Sequence, residues 1–284
     1  MAEADEALAA IGVLPDAEIE PAMAALQLAR LDAPDADWRR ASDHVSELAR
    51  DAAAIGGVMS GRPTEARIGA LAGLLHARHA YRGDSETYDD LANANLIRVI
   101  ERRRGLPVAL GILWLHCVRA AGWEAYGIDF PGHFLLAVES EAPKGPRMRQ
   151  PRYTLVDPFA QGITLGNARI LSMLESRETE NASIEPGVTR PMTTRGVLLR
   201  LQRNIVQRRL MQGELRDALG ALEGMLLIAP EVVSNWLDAA ELNRSLNRPG
   251  QAVLCLERIL ETAPDSEAAR IARQKLSDLR RGGG

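Results

Sequence analysis

Apolar residues recur at helical spacing along most of this 284-residue chain, with one change of period near its middle. Ala22 to Leu31 and Trp38 to Ile55 carry that spacing and are separated by Asp32, Pro34 and Asp35. Gly56–Gly57 and Gly61–Arg62–Pro63 punctuate the chain, and Thr64 to Tyr81 resumes as a predicted helix striped by Ile68, Leu71, Leu74 and Leu75. Asp89 to Arg104 begins polar and then turns apolar at Leu91, Leu96, Ile97, Val99 and Ile100, which predicts one further helix or two, broken at Gly105. Pro107 opens the apolar run Val108 to Ala121. Proline suits a first helical position because its missing N–H would have no partner there, and Gly122 ends the helix.

The period then shortens. Ala125 to Phe130, Phe134 to Glu139 and Tyr153 to Val156 are short apolar or alternating runs bounded by Gly and Pro, and they predict strands. Ser140 to Pro151, with its prolines and basic residues, predicts an exposed hairpin loop. Helices followed by an antiparallel sheet define an α+β domain.

From about Gly196 the pattern is helical to the end, and it repeats. Ala218 and Ala252 are 34 residues apart, as are Leu222 and Leu256, Glu223 and Glu257, Leu226 and Leu260, and Pro230 and Pro264. Trp236 stands sixteen residues before Ala252, where the tetratricopeptide repeat has its tryptophan. The expected organisation is an N-terminal helical segment at 1–60, an α+β core at 61–190, and an all-α tetratricopeptide-like region at 196–281. Two repeats rarely stand alone, so the first is expected to pack on the core through Leu198, Leu201 and Ile205.

Composition narrows the possible functions. Net charge is −4 with a pI near 5.8, so no broad basic field is available to hold a phosphate backbone, and nucleic acid is not an expected partner. No apolar run approaches the ~20 residues that cross a bilayer, and acidic Met1 to Glu6 is unlike a leader peptide. Cys117 and Cys255, far apart, make no disulfide framework; the expectation is a cytoplasmic protein without membrane attachment.

Three segments carry candidate chemistry: the helix opening at Gly105–Leu106–Pro107, the run Phe130–Pro131–Gly132–His133–Phe134, and Leu155–Val156–Asp157–Pro158–Phe159. Cysteine enzymes of transglutaminase and papain type use the order helix, His-bearing strand, Asp-bearing strand. A Cys at the helix start is activated by the helix dipole and by the His, which the Asp orients. Together with Asn95 to Pro107 and the repeats, these motifs make the chain resemble the SirB-type family, a transglutaminase-like core followed by tetratricopeptide repeats, over about residues 65–281. The resemblance implies a papain-like fold. It also implies that the nucleophile belongs near Leu106 to Ala109, where this chain has Leu, Pro, Val and Ala. None of these can form an acyl intermediate. Cys117 lies ten residues on, roughly 15 Å along the helix, beyond the ~3 Å reach of such a His, and reads as a buried thiol.

His133 and Asp157 are therefore expected as a vestigial dyad, with Asn95, Glu101, Arg103, Pro107 and Phe134 as candidate binding residues. Glu101 and Arg104 are three apart on one helix, and Arg102–Arg103–Arg104 reads as a solvated face. His76, His79 and His116 have no carboxylate or Cys at ligand spacing; His76 and His79 at i, i+3 could share a metal, but two ligands on a helix surface are a weak signal, so neither a metal site nor a cofactor is expected. The expected function is non-catalytic protein interaction or scaffolding, with a protein or peptide partner. The alternative is a hydrolase or transferase that uses His133 and Asp157 without a cysteine. A transcription-regulating role, attached to the family by name, finds no DNA-reading helix here.

Overall fold

A computed structural model describes residues 2–140, 152–175 and 191–282. In chain order the elements are α1 (Ala2–Gly12), α2 (Pro21–Asp32), α3 (Trp38–Val58), α4 (Thr64–Ala72), β1 (Arg82–Gly83), α5 (Leu96–Arg102), β2 (Arg104–Gly105) and α6 (Pro107–Ala120). There follow β3 (Ala125–Phe130), β4 (His133–Ser140), β5 (Arg152–Asp157), β6 (Ile163–Leu165), α7 (Asn167–Glu175) and β7 (Pro191–Met192). Helices α8 (Thr194–Met211), α9 (Leu215–Ile228), α10 (Val233–Ser245), α11 (Pro249–Thr262) and α12 (Glu267–Gly282) complete the chain. Two compact units emerge: Asp16–Leu26 with Asp35–Leu201, and Met1–Pro15 with Gln27–Pro34 and Gln202–Gly284. The N-terminal sixty residues are shared between them. Leu198 and Leu201 are buried in the first, Ile205 in the second.

The first unit is built around α6. Every residue from Pro107 to Val118 is buried, as a helix apolar all round requires. On one side lies α3, presenting Val45, Leu48, Ala52 and Gly56 as one stripe. On the other lies an antiparallel sheet of order β6–β5–β4–β3–β7, contacted through β3 and β4. Pro131–Gly132 forms the tight turn between β3 and β4, with Gly132 at φ +61°, and pairs Phe130 with His133.

Phe134 keys the sheet to the helix. A Cβ on Gly111 of α6 would stand 2.2 Å from its ring, and one on Gly127 of β3 would stand 2.8 Å away. The ring therefore fills the space that two absent side chains leave. The opposite face of the sheet buries Ile128, Phe130, Leu135 and Ala137 against Ile170 and Leu174 of α7.

Several expectations needed correction. The helix over Thr64–Tyr81 is not continuous: α4 stops at Ala72, and Gly73–Arg78 winds as a π-turn closed by His79 N–H to Leu74 O at 3.1 Å. A wider turn keeps Leu74 and Leu75 buried while His76 Nδ1 reaches Tyr81 O, a demand no 3.6-residue stripe encodes. Strands β1 and β2, paired in parallel, are too short for any period, and β6, α7 and β7 carried no alternation strong enough to read. The hairpin loop expected after Ser140 lies outside the described residues.

In the second unit α9 to α12 follow one another as helical hairpins, each packed on the next. The N-termini of α9 and α11, at Leu215 and Pro249, are 34 residues apart. A Cβ on Gly12 would approach Leu227 O to 2.2 Å, so α1 lies directly on α9. Arg209 Nη2 reaches Asp32 at 2.7 Å.

Candidate functional site

His133 and Asp157 come together because the sheet register sets them there. Extending the pairing of Leu136 with Val156 by one residue puts Asp157 opposite Leu135, and His133 lies two residues from Leu135 on the same face. His133 Nε2 and Asp157 Oδ2 are 3.0 Å apart, with side chains 10% and 9% exposed. Asp157 Oδ1 accepts from the backbone N–H of Phe159 at 2.9 Å and of Ala160 at 3.2 Å, which fixes the carboxylate. The Phe159 ring meets the imidazole edge-on at 6.1 Å between centroids and lies on Gly83, where a Cβ would stand 2.5 Å away. Arg200 Nη2 donates to His133 O at 2.6 Å. Among the described residues, His133 Nδ1 has no hydrogen-bond partner and no thiol or hydroxyl lies within bonding distance of the ring.

The helix start that would carry a nucleophile holds buried Leu106, Pro107, Val108 and Ala109. Pro107 sits buried at the first helical position, where its missing N–H leaves nothing unpaired. Cys117 is fully buried, and burial pushes its thiol up to about 12, which keeps it protonated and inert. Phe134 is core, as its contacts with Gly111 and Gly127 require.

Of the remaining candidates, Glu101 and Arg103 share a cleft, while Asn95 does not reach it. Asn95 is buried and caps α5, its Oδ1 accepting from Ile97 N at 3.1 Å and Arg98 N at 3.2 Å. Glu101 pairs with Arg98 at 2.9 Å, not with Arg104, which pairs with Glu86 at 2.8 Å. Nor is Arg102–Arg104 a solvated face. Arg102 binds the buried Asp84 at 3.1 Å, and Arg103, at φ +58°, turns inward so that its guanidinium donates to the Tyr81 hydroxyl and to His44 Nε2.

Arg103 leads to a region that spacing along one helix did not reveal. His44, held below its ordinary pKa by burial and by the Arg103 charge, donates a hydrogen bond from Nδ1 to Glu47 Oε2 at 3.0 Å. The His79 ring lies 5.1 Å from that of His44, and His79 Nε2 is 3.8 Å from Asp51 Oδ2. A cleft of about 630 Å³ beside them is lined by Arg40, His44, Glu47, Arg50, Glu101 and Arg103. His76, by contrast, is internally satisfied: Nδ1 faces Tyr81 O at 2.7 Å and Nε2 accepts from Trp114 Nε1 at 3.1 Å. The signal that could have found the group is the Glu47/Asp51 pair four residues apart on α3, but such a pair reads as a solvated face until the chain brings His79 to it.

Comparison with known proteins gives this geometry a context. A family model described as the transglutaminase-like superfamily matches residues 37–203. A UPF0162 protein of Vibrio cholerae is 39% identical over 77 residues, a stretch that covers 27% of this chain and only 28% of the relative. A UPF0162 protein of Xylella fastidiosa (strain Temecula1) is 24% identical over 216 residues, 75% of this chain and 74% of that one. UPF0162 protein PA3419 of Pseudomonas aeruginosa is 26% identical over 187 residues, 66% and 65% of the two chains. No solved structure matches the chain. No helix among the described residues is long and apolar enough to cross a membrane.

Proposed function

This chain belongs to the transglutaminase-like superfamily, and on that premise we propose that it is a non-catalytic protein-interaction or scaffold protein whose fold has lost its cysteine nucleophile. One observation carries the reading: among the described residues His133 has Asp157 at 3.0 Å but no thiol or hydroxyl to activate. The 34-residue spacing of α9 and α11 supports tetratricopeptide-like repeats and, with the joined motifs, the SirB-type likeness. A cleft of about 600 Å³ along α10 to α12, apolar at Ala252 and Leu256 and rimmed by Glu241, Arg244, Lys275 and Asp278, suits a peptide with both charge signs. Free, buried Cys117 and Cys255 accord with a reducing, cytoplasmic setting.

A second reading rests on one atom. His133 Nδ1, without a partner, could move a proton on a bound substrate or water, giving a hydrolase or transferase without a covalent step. One experiment separates the two: full-length chain and His133→Ala are assayed against amide, peptide and glutamine-donor substrates. No turnover that depends on His133 is expected. An activity abolished by His133→Ala overturns the scaffold reading.

A further inference from the structure

We propose that Glu47, Asp51 and His79 hold a divalent metal ion of the zinc class. The proposal is independent of the role given to His133. Glu47 and Asp51 lie one helical turn apart on the same face of α3, and the π-turn that ends α4 delivers His79 to that face. One ligand atom from each residue lies within 4.8 Å of the others.

The decisive observation is an imidazole with nothing to bind. The His79 side chain is only 10% exposed, and its Nε2 is buried without a hydrogen-bond partner. Asp51 Oδ2, 3.8 Å away, is likewise buried without a hydrogen bond, its close charge being the exposed Arg78. Buried polar atoms without partners are rare and need an explanation. At 3.8 Å the two atoms are too far apart for a direct hydrogen bond, which closes at about 2.7–3.2 Å. An ion about 2.0–2.2 Å from each atom spans that gap, and a side-chain shift of about 1 Å brings the Glu47 carboxylate in. Arg78 Nη1 stands 2.9 Å from Asp51 Oδ2 without hydrogen-bond geometry, and its 59% exposed side chain is free to leave when a cation arrives.

An outer layer is already built. Glu47 Oε2 accepts from His44 Nδ1 at 3.0 Å, leaving Oε1 for the ion. The Arg103 guanidinium can only donate, so it fixes His44 Nε2 as the acceptor and Nδ1 as the protonated nitrogen. Ligating carboxylates in metalloproteins are oriented by partners of this kind. Glu47 and His44 line the 630 Å³ cleft, whereas Asp51 lines a second pocket of about 280 Å³ with Arg78. One imidazole with two carboxylates favours zinc or a neighbouring first-row ion over magnesium or calcium, which prefer oxygen alone.

The test uses full-length protein freed of metal by chelation, titrated with Zn²⁺ by calorimetry and with Co²⁺ by visible absorption. One equivalent of Zn²⁺ should bind, Co²⁺ should give d–d bands that Zn²⁺ displaces, and Mg²⁺ should compete at least about 10-fold less well. His79→Ala and the near-isosteric Asp51→Asn, each checked for a native circular dichroism spectrum, should weaken Zn²⁺ by about 10-fold or more, and His44→Ala by about 10–100-fold. Failure of the unsubstituted chain to bind Zn²⁺, or wild-type affinity in both His79→Ala and Asp51→Asn, would overturn the proposal.

Discussion

Two histidine–carboxylate pairs in the same unit behave differently. At the sheet rim, His133 and Asp157 meet at 3.0 Å, and the carboxylate is pinned by two backbone N–H groups. Between helices, His79 and Asp51 stop at 3.8 Å, and each leaves a buried atom without a hydrogen bond. Similar residue types thus give a closed pair in one place and an open one in the other. The difference is in what the backbone does: a sheet register sets a fixed, short separation, whereas a π-turn beside a helix face leaves a gap for a third participant.

The largest test removes the platform of the closed pair. Phe134→Ala should cost about 3–5 kcal/mol in urea unfolding, since it empties the space between Gly111 and Gly127. Next, Asp157→Ala should cost about 2–3 kcal/mol, because it strips partners from His133 Nε2 and from two backbone donors. Without added metal, His79→Ala should cost less than about 1 kcal/mol, as no hydrogen bond is lost. Equal losses in these two variants would erase the contrast.

A smaller effect comes from His76, whose pKa burial holds below 6.5. The unfolded chain takes up a proton there that the folded chain refuses, so this contribution is intact above pH 6.5 and is lost as pH falls below it. The melting temperature should drop between pH 7 and pH 5, and the drop should be shallower in His76→Gln. The smallest effect is Glu101→Ala. It breaks only an exposed pair with Arg98 and should shift unfolding by less than about 0.5 kcal/mol.

What could be read from sequence was local. The Pro107 helix start and the main strands each rest on a few adjacent residues, and they stand where expected. The pairing of His133 and Asp157 was legible from the helix, His-strand, Asp-strand order shared with transglutaminase-like enzymes. Asn95, a candidate binding residue, caps α5, and Arg103, expected on a solvated face, turns inward; both placements depend on backbone geometry that no side-chain spacing records. Glu47, Asp51 and His79 were invisible because their proximity crosses about thirty residues and a π-turn.

The ring of Phe134 has one further consequence. Residues 111 and 127 come from different elements, yet neither can gain a side chain while an aromatic occupies position 134. In any relative that keeps this architecture, bulk acquired at residue 111 should be matched by bulk given up at the phenylalanine, and bulk at residue 127 by loss both there and at Val197, whose Cγ2 would stand 2.7 Å away. Comparing such sets across relatives would reveal which of them preserve the same seat between helix and sheet.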